Sequence, residues 1–306
     1  MTDAHELDVV TGALGYTGKY IARRLLNAGR RVRTITGHTN RPNCFGNEVE
    51  VAPMNFRDRV GLVQSLRGAS VLYNTYWVRF NHGSATFDEA VANSRVLIQS
   101  AKDAGVRRIV HLSIANPSPD SPLPYYSGKA RVEEAILGSG LSYAILRPTV
   151  IFGPEDILIN NIAWFTRKFP VFAIPGNGRY ELQPIFVEDL AELAVGEGLS
   201  ESNRILDAVG PEKFTFEEVV RRIASAIGTN PRFLHLNPKT AFRLLRLVGP
   251  LLGDVVLTRE EIDGLMANLL VSNEPPQGWT PFSEWLAKNA GTLGNVYSSE
   301  LRRHYR

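Results

Sequence analysis

The chain has 306 residues, 44% apolar and 21% charged, with one cysteine, Cys44, and a formal net charge of +3. One thiol excludes an internal disulfide framework. No run of about 18 apolar residues occurs, so a membrane span is not expected. The basic residues are scattered rather than striped with aromatics, which argues against nucleic acid as a partner.

In chain order, residues 7–11 predict a strand and 16–28 a helix. Strands follow at 32–36 and 49–53, then a helix near 60–66 and a strand at 70–74. A long helix at 87–104, a strand at 109–113, a helix at 127–139 and a sixth strand at 142–147 continue the pattern. This βαβα rhythm predicts an α/β fold with a doubly wound parallel sheet. After Pro148 the rhythm breaks. Residues 152–178 read as loop and short helix, 184–187 and 204–209 as short strands around a helix at 189–199, and the chain from Phe214 onward as helical. The expected division is a dinucleotide-binding Rossmann domain, 1–152 with 182–210, and a smaller, mostly helical substrate-side domain, 153–181 with 211–306. Residues 242–257 are apolar between Arg243, Arg246 and Asp254, and read as a core helix pair, with an apolar partner surface as the alternative.

The sharpest motif is Thr11-Gly12-Ala13-Leu14-Gly15-Tyr16-Thr17-Gly18, between the first strand and the first helix. Gly12 permits a tight turn, Gly15 lets backbone approach a pyrophosphate at the helix N-terminus, and Gly18 lets helix and strand pack closely. The cofactor expected is a nicotinamide dinucleotide. An NAD site places an acid about 20 residues further on. No Asp or Glu occurs between Lys19 and Asn47, whereas Arg33, His38 and Arg41 do. Arginine suits a 2′-phosphate, so NADP is favoured, with NAD as the alternative.

Tyr125 and Lys129 stand four apart at the start of a predicted helix, on one face. An ammonium beside a phenol favours the phenolate and makes the tyrosine a usable acid or base. Ser113 ends the fifth strand, where a substrate oxygen would meet Tyr125. The aromatic run Tyr76-Trp77-Val78-Arg79-Phe80 follows the fourth strand, where ligands bind in such sheets, and reads equally as a substrate wall or as loop packing. Together with Trp164, Phe165, Phe169 and Phe172 it hints at an apolar substrate. The six histidines and Cys44 lack metal-ligand spacing, so no metal is expected. Residues 1–6 are polar and lack a signal-peptide pattern, which with the lone cysteine points to a cytoplasmic location.

Together these residues resemble the extended and atypical short-chain dehydrogenase/reductase superfamily. The glycine loop, residues 93–110, Leu146-Arg147-Pro148, Phe152-Gly153 and Val187-Glu188-Asp189-Leu190-Ala191 carry the resemblance. It is nearest to the group around the nucleotide-binding accessory subunit of respiratory complex I and epimerase/dehydratase-like bacterial proteins. The resemblance implies that Tyr125 is the acid/base, Lys129 its activator, Ser113 the substrate-orienting hydroxyl and Asn93 part of a proton relay. It also implies that Asn55 meets the adenine, that Asn74 and Thr75 lie beside the cofactor, and that Pro148 lines the nicotinamide. A homodimer is implied by resemblance alone. The dehydratase Asp-Glu pair is replaced by Ile114-Ala115-Asn116-Pro117, and Leu182 and Gln183 stand where sugar-nucleotide epimerases often carry an arginine. The expected function is therefore an NADP(H)-dependent oxidoreductase acting at a carbonyl or hydroxyl carbon of a small substrate. The alternatives are a non-catalytic NAD(P)-binding regulator or assembly factor, and an NAD(P)-dependent epimerase.

Overall fold

Buried runs of apolar residues build the first half. In the computed structural model, which describes residues 6–304, the strand β1 (Leu7–Thr11) is buried along its whole length, as a parallel strand covered on both faces must be. The helix α1 (Tyr16–Asn27) turns Gly18, Ile21, Ala22 and Leu25 inward. Then come β2 (Arg31–Thr36), β3 (Val49–Pro53), α2 (Arg59–Leu66), β4 (Ala69–Asn74), α3 (Phe87–Asp103), β5 (Arg108–Leu112), α4 (Pro124–Leu137) and β6 (Ser142–Pro148). Helix α3 starts where Thr86 accepts a hydrogen bond from Glu89 N, with Asp88 and Glu89 in its first turn, as the helix dipole favours. Residues 1–5 of the polar N-terminal stretch lie outside the described residues.

The strands form one seven-stranded sheet, in the order Arg204–Ala208, β6, β5, β4, β1, β2, β3. Strand β1 pairs in parallel with both β2 and β4. The chain direction of build-up therefore reverses between β1 and β4, and the crevice beyond their C-terminal ends is where a doubly wound sheet binds ligands. One core layer gathers Val9, Ile35, Leu72, Leu97, Ile109 and Ile145. At the opposite end of β1, the buried Asp8 carboxylate accepts from Arg30 Nε and Nη2 at 2.8 and 3.0 Å.

The chain divides into two compact units: residues up to Pro148 with Val187–Asp207, and Thr149–Phe186 with residues from Ala208 onward. The second unit has its own core, around Phe152, Ile162, Leu182, Val219, Phe282 and Trp285. It is less helical than the sequence predicts. The segment 152–178 holds a helix, Leu158–Lys168, and a strand, Val171–Pro175. That strand pairs in parallel with Arg232–Leu236, inside the stretch read as helical. Residues 242–257 are not a core helix pair either. They contribute to one helix, Pro238–Leu252, which stops at Gly253 in the left-handed region and leads through non-helical chain to Arg259–Met266. Gln183 is buried here, its Nε2 donating to Gly210 O at 2.9 Å and its Oε1 accepting from Ser272 N at 3.1 Å. Trp164, Phe165, Phe169 and Tyr297 form an aromatic cluster within this unit. No helix among the described residues is long and apolar enough to cross a membrane.

Candidate dinucleotide and active site

The glycine loop has the shape its spacing demands. Gly12 adopts φ +64°, a conformation that suits glycine, and its N–H donates to Ile35 O at 3.0 Å. Gly15 N donates back to Gly12 O at 2.8 Å and closes the turn. A Cβ on Gly18 would lie 2.9 Å from Gly12 C and 3.2 Å from Ala13 Cα, so only hydrogen fits between helix and loop. The N-cap of α1 is Gly15, which offers no capping side chain, and no acid occupies the first turn. The positive end of the helix dipole therefore favours an anion at this terminus. These features fit a dinucleotide pyrophosphate.

Side chains lace the strand ends around this loop. Thr11 Oγ1 accepts from Thr75 N at 2.7 Å, and Thr75 Oγ1 donates to Thr11 O at 2.6 Å. Ala13 N donates to Thr34 Oγ1 at 2.9 Å. Asn74 is fully buried at the end of β4. Its Oδ1 accepts from Tyr76 N at 3.0 Å, which turns Nδ2 towards His111 Nδ1, also at 3.0 Å. His111 must then accept at Nδ1 and carry its proton on Nε2. Burial, reinforced by the Lys129 charge, holds His111 well below the usual histidine range, so it is neutral. The Asn74 side chain thus faces the interior of the sheet, while Thr75 lies on the rim.

A pocket of about 390 Å³ opens beside the C-terminal ends of β2 and β3. Its walls include Thr36, Gly37, Asn55, Phe56, Arg57 and Asn93. Asn55 Oδ1 accepts from Arg57 N at 3.0 Å and fixes the turn out of β3. Asn93 Nδ2 donates to Tyr76 OH at 3.0 Å, and Tyr76 packs on Phe56 with ring centroids 4.9 Å apart. Asn93 is thereby brought together with Asn55 on the wall of this pocket. His38 N donates to the wall residue Thr36, and Arg41 N to His38 O, folding the loop after β2 back on itself. Arg33 points elsewhere: it pairs with Glu50 at 3.0 Å and donates to Ser65 O and Arg67 O at the end of α2. Sequence reasoning missed Phe56 and Arg57, although both directly follow Asn55 in the turn out of β3.

Helix α4 begins at Pro124 rather than at 127, which places Tyr125 in its first turn and Lys129 one turn on. Lys129 is only 3% exposed. Its Nζ donates to Leu112 O at 2.8 Å and sits 4.7 Å from the Trp77 ring centroid. Trp77 in turn meets Tyr125 edge-on at 6.0 Å and stacks on Phe87 at 6.2 Å. Gly128 makes room for it: a Cβ there would lie 3.0 Å from Trp77 Cη2. Burial lowers the Lys129 ammonium from 10.5 to about 7, against the opposing pull of Glu133, whose carboxylate takes a two-pronged bond from Arg147. Ser113 lies just past the end of β5, its N–H bonded to Leu146 O at 2.7 Å. Its Oγ is buried with no partner among the described residues. Pro148 O accepts from Ala115 N at 2.8 Å and fixes the neighbouring exit of β6. A buried hydroxyl in search of a partner, next to the carbonyl that anchors a buried lysine, fits a ligand oxygen.

A dinucleotide loop at the switch point of a parallel sheet, with a tyrosine and a lysine on the helix after β5, defines a nicotinamide-dinucleotide-binding Rossmann protein. Residues 9–196 match the model of the NAD dependent epimerase/dehydratase family, and the chain belongs to that family. It is 26% identical over 284 residues to an NADH dehydrogenase [ubiquinone] 1 alpha subcomplex subunit 9 of Arabidopsis thaliana, covering 86% of this chain and 70% of that protein. It is 27% identical to a (4-alkanoyl-5-oxo-2,5-dihydrofuran-3-yl)methyl phosphate reductase of Streptomyces griseus, over 92% of this chain and 97% of that one. Among solved structures, the Citrobacter sp. triphenylmethane reductase complexed with NADP(H) superposes with a TM-score of 0.75 at 18% identity, over 93% of this chain and 99% of that one. That likeness bears on the fold.

Proposed function

We propose that this protein is an NADP(H)-dependent oxidoreductase acting on a carbonyl or hydroxyl carbon of a small, rather apolar molecule. The observation that carries the reading is the junction of β5 and α4, where the buried Lys129 is anchored one residue before the unpartnered Ser113 Oγ. The bound nicotinamide would give a hydride to the carbonyl carbon or take one from the hydroxyl carbon. Gly12, Gly15 and Gly18, with the N–H groups of Tyr16 and Thr17, would hold the pyrophosphate. Asn55 and Phe56 would take the adenine, and His38, Arg41 and Arg57 the 2′-phosphate. Tyr125 would deliver or remove the substrate proton, Ser113 would orient the substrate oxygen, and Lys129 would bind near the nicotinamide ribose. Asn74 and His111 would act as positioning residues. The rings of Trp77, Phe87 and Tyr125 favour an apolar substrate, and the reductase relative matched over nearly its whole length supports turnover.

A second reading is a nucleotide-binding subunit or assembly factor without turnover. The similarity to a respiratory-complex subunit favours it. Tyr125→Phe separates the two when NADPH binding and carbonyl reduction are measured side by side. The oxidoreductase reading expects a rate loss of about 100-fold or more with unchanged NADPH affinity. Absence of reduction by wild type across a carbonyl panel, with tight nucleotide binding, selects the second. A family-typical epimerase would instead show no net change in nicotinamide absorbance.

A further inference from the structure

The helix Pro238–Leu252 in the second unit differs from an ordinary surface helix, which keeps its outer side polar: it carries leucines on its outer side as well as half-buried apolar residues on its inner one. Leu244, Leu247 and Leu251 are 44%, 72% and 85% exposed. Their spacing of three and seven residues puts them on one stripe. The buried positions are the small ones, Ala241 and Gly249. At Gly249 a Cβ would lie 2.7 Å from Asp254 O, and Phe242, Leu245, Val248 and Leu252 are half-buried on the same side, so the helix docks through that side and leaves Leu244, Leu247 and Leu251 outside.

The charges on this helix have one sign. Lys239, Arg243 and Arg246 are exposed, and the helix contains no acidic residue. The next acid along the chain, Asp254, is buried and accepts from Tyr297 OH, Glu300 N and Leu301 N. It does not neutralise the patch from the outside. An exposed leucine stripe on a helix whose own charges are all cations matches a surface that is apolar within and anionic at its boundary. Arginine, with its planar fork, meets phosphate oxygens well. The helix is too short and too charged to span a bilayer, but it has the composition of one that lies in the interface plane.

We propose that the helix Pro238–Leu252 docks this protein on an anionic membrane surface. Leu244, Leu247 and Leu251 enter the headgroup boundary, and Arg243 and Arg246 contact lipid phosphates.

The test is co-sedimentation of the full chain with vesicles of phosphatidylcholine alone and of phosphatidylcholine doped with phosphatidylglycerol, at low and high salt. Wild type should sediment with the doped vesicles and be released by salt. Arg243→Gln/Arg246→Gln should weaken partition to doped vesicles by about 30-fold, given the attraction of each basic residue to an anionic leaflet. Leu247→Ser/Leu251→Ser should weaken it by about 100-fold, from the apolar area no longer buried. All four side chains are exposed, so circular dichroism and NADPH binding should be unchanged in both variants. Failure of wild type to sediment with doped vesicles overturns the proposal, as does equal sedimentation by the leucine variant. A wild-type dimer that the leucine variant converts to monomer, with no vesicle binding, assigns the stripe to a second copy instead and also overturns it.

Discussion

Replacing Lys129 with methionine should make the protein's stability respond to pH in a calculable way. In the folded chain burial lowers the Lys129 ammonium from 10.5 to about 7. Keeping it protonated inside the protein therefore costs about 5 kcal/mol relative to the unfolded chain at pH 6 and below. Between about 7 and 10.5 the unfolded state binds the extra proton, so wild-type stability rises with pH across that window. At pH 9 about 3 kcal/mol of the cost has gone and about 2 kcal/mol remains. Methionine fills similar volume without titrating, but leaves Leu112 O without its donor, a pH-independent loss of about 1–3 kcal/mol. The variant should thus be the more stable protein at pH 6, by roughly 2–4 kcal/mol, and within about 1 kcal/mol of wild type at pH 9. Urea unfolding of both proteins at each pH measures this difference, and the other titrating groups cancel in the comparison apart from His111, which loses the neighbouring Lys129 charge. A difference that stays flat from pH 6 to 9 refutes the reasoning, because Lys129 would then be titrating at its ordinary value.

Gly18→Ala should destabilise the chain by about 1–3 kcal/mol, since the new methyl group meets loop backbone rather than a movable side chain. It should also weaken NADPH binding, so unchanged affinity in a fluorescence titration would count against the phosphate-loop assignment. Gln183→Leu removes a buried amide and leaves its partners Gly210 O and Ser272 N unsatisfied, and should cost about 2–5 kcal/mol in urea unfolding. Arg57→Ala should reduce NADPH affinity while sparing NADH, a contrast that titration with both nucleotides reads directly.

Much of the first unit was legible in the sequence because its signals are local. Parallel strands buried on both faces appear as short apolar runs, and the glycine spacing marks the turn between β1 and α1. Helix α4 starts three residues before the expected position, at Pro124, because proline suits the first turn of a helix. Asn74 was read as a cofactor neighbour. Its contact with His111 depends on the register between β4 and β5, in which the two are direct partners, and no local pattern reveals a register. The second unit hid more. Strand Arg232–Leu236 pairs with Val171–Pro175, a partner far away in sequence. The helix Pro238–Leu252 has core-like composition, and only the placement of its neighbours shows that Leu244, Leu247 and Leu251 face outward. Arg33 looked like a phosphate ligand by proximity in sequence, but β-strand alternation carries it to the end of α2.

The hydrogen bonds that join Thr11 to Thr75 and Asn74 to His111 stitch the ends of β1, β4 and β5 into a single rim. A rim built this way behaves as a rigid template. The conformational entropy of ordering these segments is lost when the chain folds, so it need not be lost again when a ligand arrives. A ligand's affinity at such an edge would then vary with its own flexibility more than with the protein's, and a stiff molecule would gain most from it.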